Sequence, residues 1–554
     1  MRARAGVALM GALVLMSGCT ATAEAVRSRA SAGAETTTSM PGDSLTVVAD
    51  GDPAASAVST SRALFHSAGV AVVARDGDVA GTLMAASAAV GLGAPLLVTP
   101  PDGALTTDPV RSELDRLGAR AVLVVGGDGS APRKTGGRDV VAVPASAEAV
   151  SRATGLHLTD ADPVGTGGQA AAVAQLDPGR PAALRPDGAG PPPAGRSGDP
   201  RLPEVDRPKP LTGLVVLAND SPEFMAGIAT ARAAGARVEV MAGQTDPRTS
   251  ADVVSALADG ATQKVLAVGP DFGGNDALSW EVATARTGPQ LPAGGQTLFP
   301  GRMLVALYGT PGPAALGVLG EQDLSASIDR ARQHAAQFDH LVDVPVVPTF
   351  EIIATIASSS AGPDGNYSSE TDPETLRPWV EAARDAGVYV VLDLQPGRAD
   401  FLTQAKEYQS LLELPNVGLA LDPEWRLGPG EQPLQQIGSV GVDEVNGVAG
   451  WLAALTREQH LPQKLFVVHQ FQLRMISGRD RLDTSHPELA VLVHADGQGG
   501  QGQKQGTWQA LHQDLPPGPL SWGWKNFYDE DHPMLTPEQT IDQVHPRPDL
   551  ISYQ

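Results

Sequence analysis

Short apolar runs rich in β-branched residues alternate along the chain with longer segments of helical periodicity. Between residues 57 and 150, strands are predicted at 70–75, 95–100, 121–127 and 139–145. The Ala-rich stretch 81–92 and the segment 108–118, which begins with Asp-Pro and ends with Gly, predict helices between them. Apolar strands joined by helices are typical of a parallel sheet covered on both faces, so this region predicts an α/β module.

The same order of strand, Ala-rich helix and strand recurs further along the chain. Strands are predicted at 213–218, 237–243 and 264–270, with helices across 223–234 and 250–258. The recurrence indicates a diverged internal repeat. The sequence therefore predicts two Rossmann-like parallel-sheet modules, at 57–184 and 211–298, separated by a Pro- and Gly-rich linker at 185–210.

From residue 299 onward the alternation becomes longer and more regular. Strands are predicted at 303–309, 344–353, 388–394, 417–423, 464–471, 489–496, 519–527 and 549–554. Helical patterns occupy 326–338, 373–386, 401–412, 443–458 and 537–544. Eight strands in about 250 residues is the count and size of a (β/α)8 barrel. The predicted fold class is therefore α/β: two Rossmann-like modules followed by a TIM-like barrel at 299–554.

The first nineteen residues carry an export pattern. Arg2 and Arg4 precede an apolar run at 7–16, and Ser17-Gly18 form a small-residue cleavage site, as in a secretory signal peptide. Cys19, the sole cysteine, follows directly, and the arrangement resembles the lipobox of bacterial lipoproteins of actinobacterial type. The resemblance implies that 1–18 is removed and that Cys19 receives a diacylglycerol. An ordinary signal peptide that happens to contain a cysteine is the alternative.

Residues 19–56 are rich in Ala, Ser, Thr and Gly and are predicted to form a lipidated flexible tether. Two acyl chains bury enough methylene groups to hold a protein at a membrane surface. No later run reaches about 18 consecutive apolar residues, the length that would predict a further membrane span. The protein is thus expected on the outer face of the cytoplasmic membrane, in the cell envelope, with the membrane as a partner through its lipid anchor.

Charge and cysteine content narrow the function classes. The chain of 554 residues has 40 Lys and Arg against 63 Asp and Glu, a net charge of −23, so nucleic-acid binding is disfavoured. One cysteine permits neither a disulfide framework nor a thiolate metal cluster within one chain. No cofactor is expected, because residues 74–81 lack the G-x-G-x-x-G pattern of a dinucleotide site. The glycine-rich segment 126–129 is interpreted as turn residues.

The first module resembles the type 2 cell wall-binding repeat of Gram-positive surface proteins. The resemblance depends on the Asp-bearing element 78–83, on Gly-Ala-Pro-Leu-Leu at 93–97 and on Val-Val-Gly-Gly at 124–127. It implies that the modules bind a cell-wall polysaccharide or peptidoglycan. The second module matches less well. Members of the family usually carry three repeats, and the sequence leaves open whether another chain supplies a third.

Polar and aromatic residues gather where the predicted barrel strands end, which is where such barrels carry their sites. The set comprises Tyr308, Glu351, Asp393, Gln395, Asp422, Glu424, Trp425, His469, Gln470, His494, Asp496, Trp524, Lys525 and Tyr553. Asp422 and Glu424 are two residues apart on one predicted strand, so both side chains are expected to face the barrel mouth. Two neighbouring carboxyls raise the pKa of one of them, which suits a general acid acting on a glycosidic oxygen.

This pair resembles the Asp-x-Glu pair of chitinase-like glycoside hydrolases. The resemblance implies that Glu424 protonates the leaving group and that Asp422 steadies the N-acetyl group of the substrate. The fuller motif has acidic residues where this chain has Ala420 and Val417. Residues expected to bind substrate, in part because aromatic rings stack on sugars, are Tyr308, Asp393, Trp425, His469, Gln470, His494, Trp524 and Lys525.

Four hypotheses remain open at this stage. The first is a wall-binding scaffold lipoprotein whose barrel is inert, with Asp422 and Glu424 neutralised by Lys525 and Arg426. The alternative is an envelope enzyme that cleaves its glycan through Asp422 and Glu424. Strand-end histidines and carboxylates could instead converge on a metal, as in zinc hydrolases, although the first strand lacks H-x-H and no metal is assigned. The residues concerned are His469, His494, Asp393 and Asp422. Finally, the paired modules could close on a small solute as a receptor does. The acidic loop 529–532 is interpreted as a solvated rim.

Overall fold

The structure is a computed structural model that describes residues 35–132, 135–190, 201–312 and 314–554. The predicted signal peptide, Cys19 and residues 191–200 of the predicted linker lie outside the described residues. The chain forms two compact units. The first comprises the described residues up to Val240 together with Lys264–Gly273, and the second comprises Met241–Gln263 and Gly274–Gln554.

The first unit is built from short strands and mostly Ala-rich helices. Its strands are β1 (Thr37–Thr38), β2 (Leu45–Val48), β3 (Phe65–Ser67), β4 (Val70–Arg75), β5 (Leu96–Thr99), β6 (Ala121–Val125), β7 (Asp139–Val143), β8 (Thr159–Asp160), β9 (Ala182–Ala183), β10 (Leu214–Ala218), β11 (Arg237–Val240) and β12 (Lys264–Val268). Its helices are α1 (Pro53–Leu64), α2 (Val79–Leu92), α3 (Val110–Leu117), α4 (Ala147–Thr154), α5 (Gln169–Ala174) and α6 (Met225–Ala233).

Two parallel four-stranded sheets share one core in this unit. The strand orders are β5-β4-β6-β7 and β11-β10-β12-β2. Thr230 on α6 connects the two sheets directly, because its hydroxyl accepts the backbone N–H of Leu96 at 3.0 Å and donates to the carbonyl of the same residue. Asp78 caps α2 by accepting the N–H of Gly81 and also accepts the N–H of Gly127 after β6. The structure thus confirms parallel sheets in an α/β arrangement.

The boundaries of this part differ from the sequence interpretation at two places. Residues 45–48, inside the predicted tether, form β2, which pairs in parallel with β12. A run of four residues is too short to stand out as a strand, and it becomes ordered by joining the edge of an existing sheet. Residues 241–263 and 274–298, both assigned to the second module, belong to the second unit.

The second unit contains the C-terminal strands and helices. Its strands are β13 (Met303–Gly309), β14 (Val346–Ala357), β15 (Ser368–Glu370), β16 (Tyr389–Leu394), β17 (Val417–Leu421), β18 (Val440–Gly441), β19 (Lys464–His469), β20 (Ile476–Ser477), β21 (Leu489–Ala495), β22 (Ser521–Asn526) and β23 (Leu550–Tyr553). Its helices are α7 (Ala251–Ala258), α8 (Leu278–Ala285), α9 (Leu324–Ala336), α10 (Pro373–Asp385), α11 (Phe401–Glu407), α12 (Gln409–Leu412), α13 (Val442–Glu458), α14 (Gln501–Leu511) and α15 (Pro537–Gln543).

Eight of these strands close into a parallel barrel, as the sequence predicts. The order is β13-β14-β16-β17-β19-β21-β22-β23. Strand β23 also pairs with β13, starting with Leu550 opposite Leu304, and this pairing closes the barrel. Between β19 and β21, where every residue is described, the connection contains β20 and 3-10 turns rather than an α-helix. The Gly- and Gln-rich helix α14 was not predicted; its buried residues Lys504, Trp508 and Leu511 follow helical spacing.

Inside the barrel, the side chains at the carboxyl ends of the strands are polar, and those one layer earlier along the strands are apolar. Apolar side chains that share the inner core include Ala306, Val391, Ala420, Val467 and Leu492. Two residues further along the same segments come Tyr308, Asp393, Asp422, His469 and His494. Side chains two apart on a strand face the same side, so a polar layer lies on top of the apolar core at the carboxyl ends of the strands.

Among the helices of the described residues, none combines the length and apolar character needed to span a bilayer.

Candidate active site at the barrel mouth

A cavity of about 650 Å³ lies at the carboxyl ends of the barrel strands. Its volume falls within the range of about 300–1,000 Å³ that is usual for ligand sites. Charged, polar and aromatic side chains in its lining include Tyr308, Gln395, Asp422, Glu424, Trp425, Phe471, Asp496, Lys504, Lys525 and Phe527. The cavity therefore combines acids, ammonium groups and aromatic rings, a set suited to a polar ligand with apolar faces.

Asp422 and Glu424 reach the cavity through a turn rather than along a strand. Strand β17 ends at Leu421, and Asp422 caps the 3-10 turn Pro423–Trp425 by accepting the backbone N–H of Glu424 at 3.1 Å. Asp422 is buried and Glu424 is half-buried. The expectation that both lie on one strand is wrong, because the proline after Asp422 ends the strand, yet both side chains line the same cavity.

The three carboxyl groups of the cavity differ in proton affinity. Burial, together with the negative charge of Asp496, raises the pKa of Glu424 to about 7, although Lys525 acts in the opposite direction. Burial also raises the pKa of Asp422 well above its usual range. Burial disfavours ionisation of Asp496 too, but the hydrogen bond from His469 outweighs it and lowers the pKa of Asp496. Near neutral pH the cavity therefore offers both protonated and ionised carboxyls.

His469 occupies the centre of a buried polar network beneath the cavity. Its Nδ1 lies 3.0 Å from Asp496 Oδ2, and its Nε2 lies 2.9 Å from Glu351 Oε1 and 3.8 Å from Asp393 Oδ1. Burial disfavours a charge on the ring, but Asp393 and Glu351 outweigh it and raise the pKa of His469 well above its usual value. His469 thus connects the cavity carboxylate Asp496 to two deeper carboxyls.

His494 and Tyr308 complete this network. His494 Nε2 lies 3.1 Å from Ser552 Oγ, its Nδ1 lies 3.7 Å from Glu351 Oε1, and burial lowers the pKa of the ring. The Tyr308 hydroxyl donates to Asp393 Oδ2 at 2.7 Å. Burial opposes ionisation of Glu351, but the two histidines outweigh it and hold its pKa well below its usual range. Burial raises the pKa of Asp393 to about 6.

Lys525 points an ammonium group at the cavity without neutralising the acid pair. Its Nζ lies 3.4 Å from the centroid of the Tyr308 ring. Within the described part of the chain, neither Lys525 nor Arg426 forms an ion pair with Asp422 or Glu424; Arg426 instead contacts Glu444 at 3.0 Å. The arrangement expected of an inert barrel, with these two cations bound to the acid pair, is therefore not what the structure contains.

The remaining sequence-predicted binding residues divide into three groups. Trp425 lines the cavity, whereas His469, His494 and Asp393 lie beneath it. Trp524 and Gln470 are packed away from it: Trp524 Nε1 donates to Asn526, and Gln470 Nε2 donates to the carbonyls of Gln472 and Leu473. Successive strand residues face opposite sides, so Lys525 facing inward turns Trp524 outward.

Sequence reasoning missed the importance of Asp496 and misjudged Asp531. Asp531, assigned to a solvated rim, is buried and binds the ammonium of Lys504 at 2.6 Å. Lys504 also donates to the carbonyl of Lys525 at 2.7 Å, so this pair positions the end of β22. The sequence did contain a signal for Asp496. It lies two positions after His494, and side chains two apart along a strand face the same side, so both were expected to face the barrel interior.

No family model and no curated protein matches the chain. Among solved structures, Cwp6 from Clostridium difficile is similar over 58% of this chain and 64% of that chain, with 12% identity and a TM-score of 0.29. A xylanase and alpha-amylase inhibitor protein (XAIP-I), crystallised with trehalose, is similar over 45% of this chain and 92% of that chain, with 14% identity and the same TM-score. Similarity this weak says nothing about what this chain does.

Proposed function

We propose that the barrel cleaves glycosidic bonds in a cell-wall polysaccharide or peptidoglycan, with Glu424 as general acid and Asp496 as the second carboxylate. One observation carries the proposal. Both side chains line one cavity of about 650 Å³, and Glu424 has a pKa of about 7. Glycoside hydrolysis requires a carboxylic acid and a carboxylate on opposite sides of the scissile bond.

Glu424 holds its proton near neutral pH and donates it to the glycosidic oxygen as the bond breaks. Asp496 lines the cavity and accepts a hydrogen bond from His469 through Oδ2. Its carboxylate is the group proposed to attack the anomeric carbon or to activate a water molecule. Burial raises the pKa of Asp422, and in its protonated form this side chain can donate to an acceptor on the sugar, such as the carbonyl of an N-acetyl group.

The first expected outcome concerns the wild-type protein. Purified full-length protein is incubated with peptidoglycan, wall polysaccharides and chitin-type oligosaccharides, and new reducing ends are measured. We expect release from at least one wall polymer, because acid catalysis combined with a positioned carboxylate lowers the barrier to glycoside cleavage. Absence of reducing ends across the whole panel contradicts the proposal.

The proposal includes an envelope location. Arg2 and Arg4, the apolar run 7–16, the small pair Ser17-Gly18 and Cys19 support export and lipidation at Cys19. Two acyl chains would hold the protein at the outer face of the cytoplasmic membrane, within reach of the wall. Substrate and anchor then lie on the same side of the membrane.

We also propose that the first unit binds wall polymers. The resemblance of residues 70–127 to type 2 cell wall-binding repeats supports this, and so does a cavity of about 1170 Å³ in that unit. Its lining includes Asp160, Asp162 and Arg185, polar groups that could bind sugar hydroxyls. A cavity of this size accommodates several sugar rings.

Co-sedimentation with purified cell walls checks this binding. Full-length Cys19→Ser protein is expected to sediment with walls but not with cellulose, and Arg185→Gln is expected to reduce the retained fraction several-fold. Arg185 is exposed, so its substitution removes a cavity contact without disturbing the core. Arg180→Gln, at an exposed position outside the cavity lining, is the matched control and should retain wild-type binding. Equal retention of both variants, or none of the wild type, contradicts the assignment.

A further inference from the structure

Four buried donor side chains converge beneath the cavity and take no direct part in the proposed hydrolysis. They are Glu351, Asp393, His469 and His494, each with no solvent-exposed surface. Glu351 Oε1 lies 2.9 Å from His469 Nε2 and 3.7 Å from His494 Nδ1, and His469 Nε2 lies 3.8 Å from Asp393 Oδ1. The donor atoms of Glu351 and the two histidines all lie within 4.8 Å of one another.

The opposite atoms of His469, His494 and Asp393 are held by a second ring of contacts. His469 binds Asp496 through Nδ1 at 3.0 Å. His494 binds the Ser552 hydroxyl through Nε2 at 3.1 Å, and Asp393 Oδ2 accepts from Tyr308 at 2.7 Å. In protein metal sites, the histidine nitrogen and carboxylate oxygen that face away from the ion are held by such outer contacts, which fix the tautomer and orientation of the ligand.

Three buried polar atoms of this cluster are unsatisfied. Glu351 Oε2, Asp393 Oδ1 and His494 Nδ1 have no hydrogen-bond partner among the described residues. Leaving a buried polar group without a partner typically costs about 1–3 kcal/mol, so three in one cluster of side chains need a common explanation. A proton between His469 and Glu351 satisfies that pair alone, whereas one cation would interact with Glu351 and both histidines, with Asp393 Oδ1 3.8 Å from His469 Nε2.

We propose that Glu351, Asp393, His469 and His494 bind one divalent first-row transition-metal ion, with Zn²⁺ the favoured ion. Imidazole nitrogens and carboxylate oxygens are ligand types that Zn²⁺ takes in four-coordinate sites, and the neutral tautomer that metal binding requires is compatible with each histidine's outer contact. The ligands lie below the cavity lining, so the ion would position Asp496 through His469. This inference does not depend on glycan cleavage.

Metal-free full-length protein is titrated with Zn²⁺, and the bound ion is counted by elemental analysis. We expect one ion per chain and a rise in the unfolding temperature of at least about 5 °C at a hundredfold excess over the dissociation constant. Co²⁺ in the same site should give the visible absorption spectrum of a four-coordinate ion. A wild-type chain that retains no ion and shows no thermal shift overturns the proposal.

Variants locate the ion. His494→Gln removes a ligand and is expected to abolish stoichiometric binding. Ser552→Ala keeps every ligand and removes an outer contact, so affinity should fall about 10–100-fold while the protein remains folded. His486→Gln, at a partly exposed histidine outside the cluster, is the control and should bind normally. Unchanged binding in both His494→Gln and Ser552→Ala places the ion elsewhere and also overturns the proposal. Glu424→Gln should retain the ion whether or not any glycan is cleaved.

Discussion

Replacing Glu424 by glutamine is expected to lower kcat/KM for the wall polymer by about 10²–10⁴-fold, the usual contribution of a positioned general acid. Glutamine has nearly the same shape but cannot transfer a proton to the departing oxygen. The substrate should still bind, so the loss should appear in kcat more than in KM. Reducing-end release under saturating and limiting substrate separates the two parameters.

Glu458→Gln is the matched control for this prediction. Glu458 is an exposed residue at the end of α13, and the same substitution there should leave kcat/KM within about twofold of wild type. Both variants should unfold cooperatively at temperatures close to that of the wild type. Full activity in Glu424→Gln would remove Glu424 from the catalytic role and favour another cavity carboxyl as the acid.

Above pH 7, kcat/KM is expected to fall about tenfold for each pH unit. The reason is the pKa of about 7 that burial and the charge of Asp496 give to Glu424, with Lys525 and His469 acting in the opposite direction. The protonated form is the active one, so activity is present below the pKa and is lost as the pH rises through it. Initial rates at low substrate concentration between pH 5 and 9 measure this limb of the pH profile, the fall of kcat/KM above pH 7.

Lys525→Met tests whether the fall of kcat/KM above pH 7 is caused by ionisation of Glu424. The Lys525 ammonium favours the ionised form of Glu424, so its removal should shift the limb to higher pH even where the maximal rate also falls. Lys406→Met, at an exposed position on α11, is the control and should leave the limb in place. A limb that does not move in Lys525→Met would assign the titration to a different group.

Most strands of the two parallel sheets and all eight of the barrel could be predicted from the sequence, because buried parallel strands appear as short apolar runs. All eight barrel strands occur within a few residues of their predicted positions. Elements that depend on tertiary contacts were missed. Strand β2 is ordered by pairing with β12, and α14 has a Gly- and Gln-rich sequence that becomes helical around the buried Trp508.

The candidate site could be predicted only in part. Asp422 and Glu424 stand out because two acids follow an apolar strand, and the structure places both in the cavity. The contacts of His469 with Glu351 and Asp496 join three different strands, so they depend on strand order and register, which spacing within one strand does not contain. Trp524 was predicted to line the cavity together with Lys525. Only one of two adjacent strand residues can face inward, and here Lys525 does.

The central claim is that Glu424 and Asp496 flank a scissile glycosidic bond, and a crystal structure of the Glu424→Gln variant with its oligosaccharide substrate tests it most directly. We predict sugar rings in the cavity of about 650 Å³, with the glycosidic oxygen within hydrogen-bonding distance of the substituted side chain and the Asp496 carboxylate facing the anomeric carbon. A separation between the wild-type carboxyls of about 5–5.5 Å would define a retaining mechanism, and about 6.5–9.5 Å an inverting one. An oligosaccharide bound outside this cavity, or with its glycosidic oxygen away from both residues, would contradict the account.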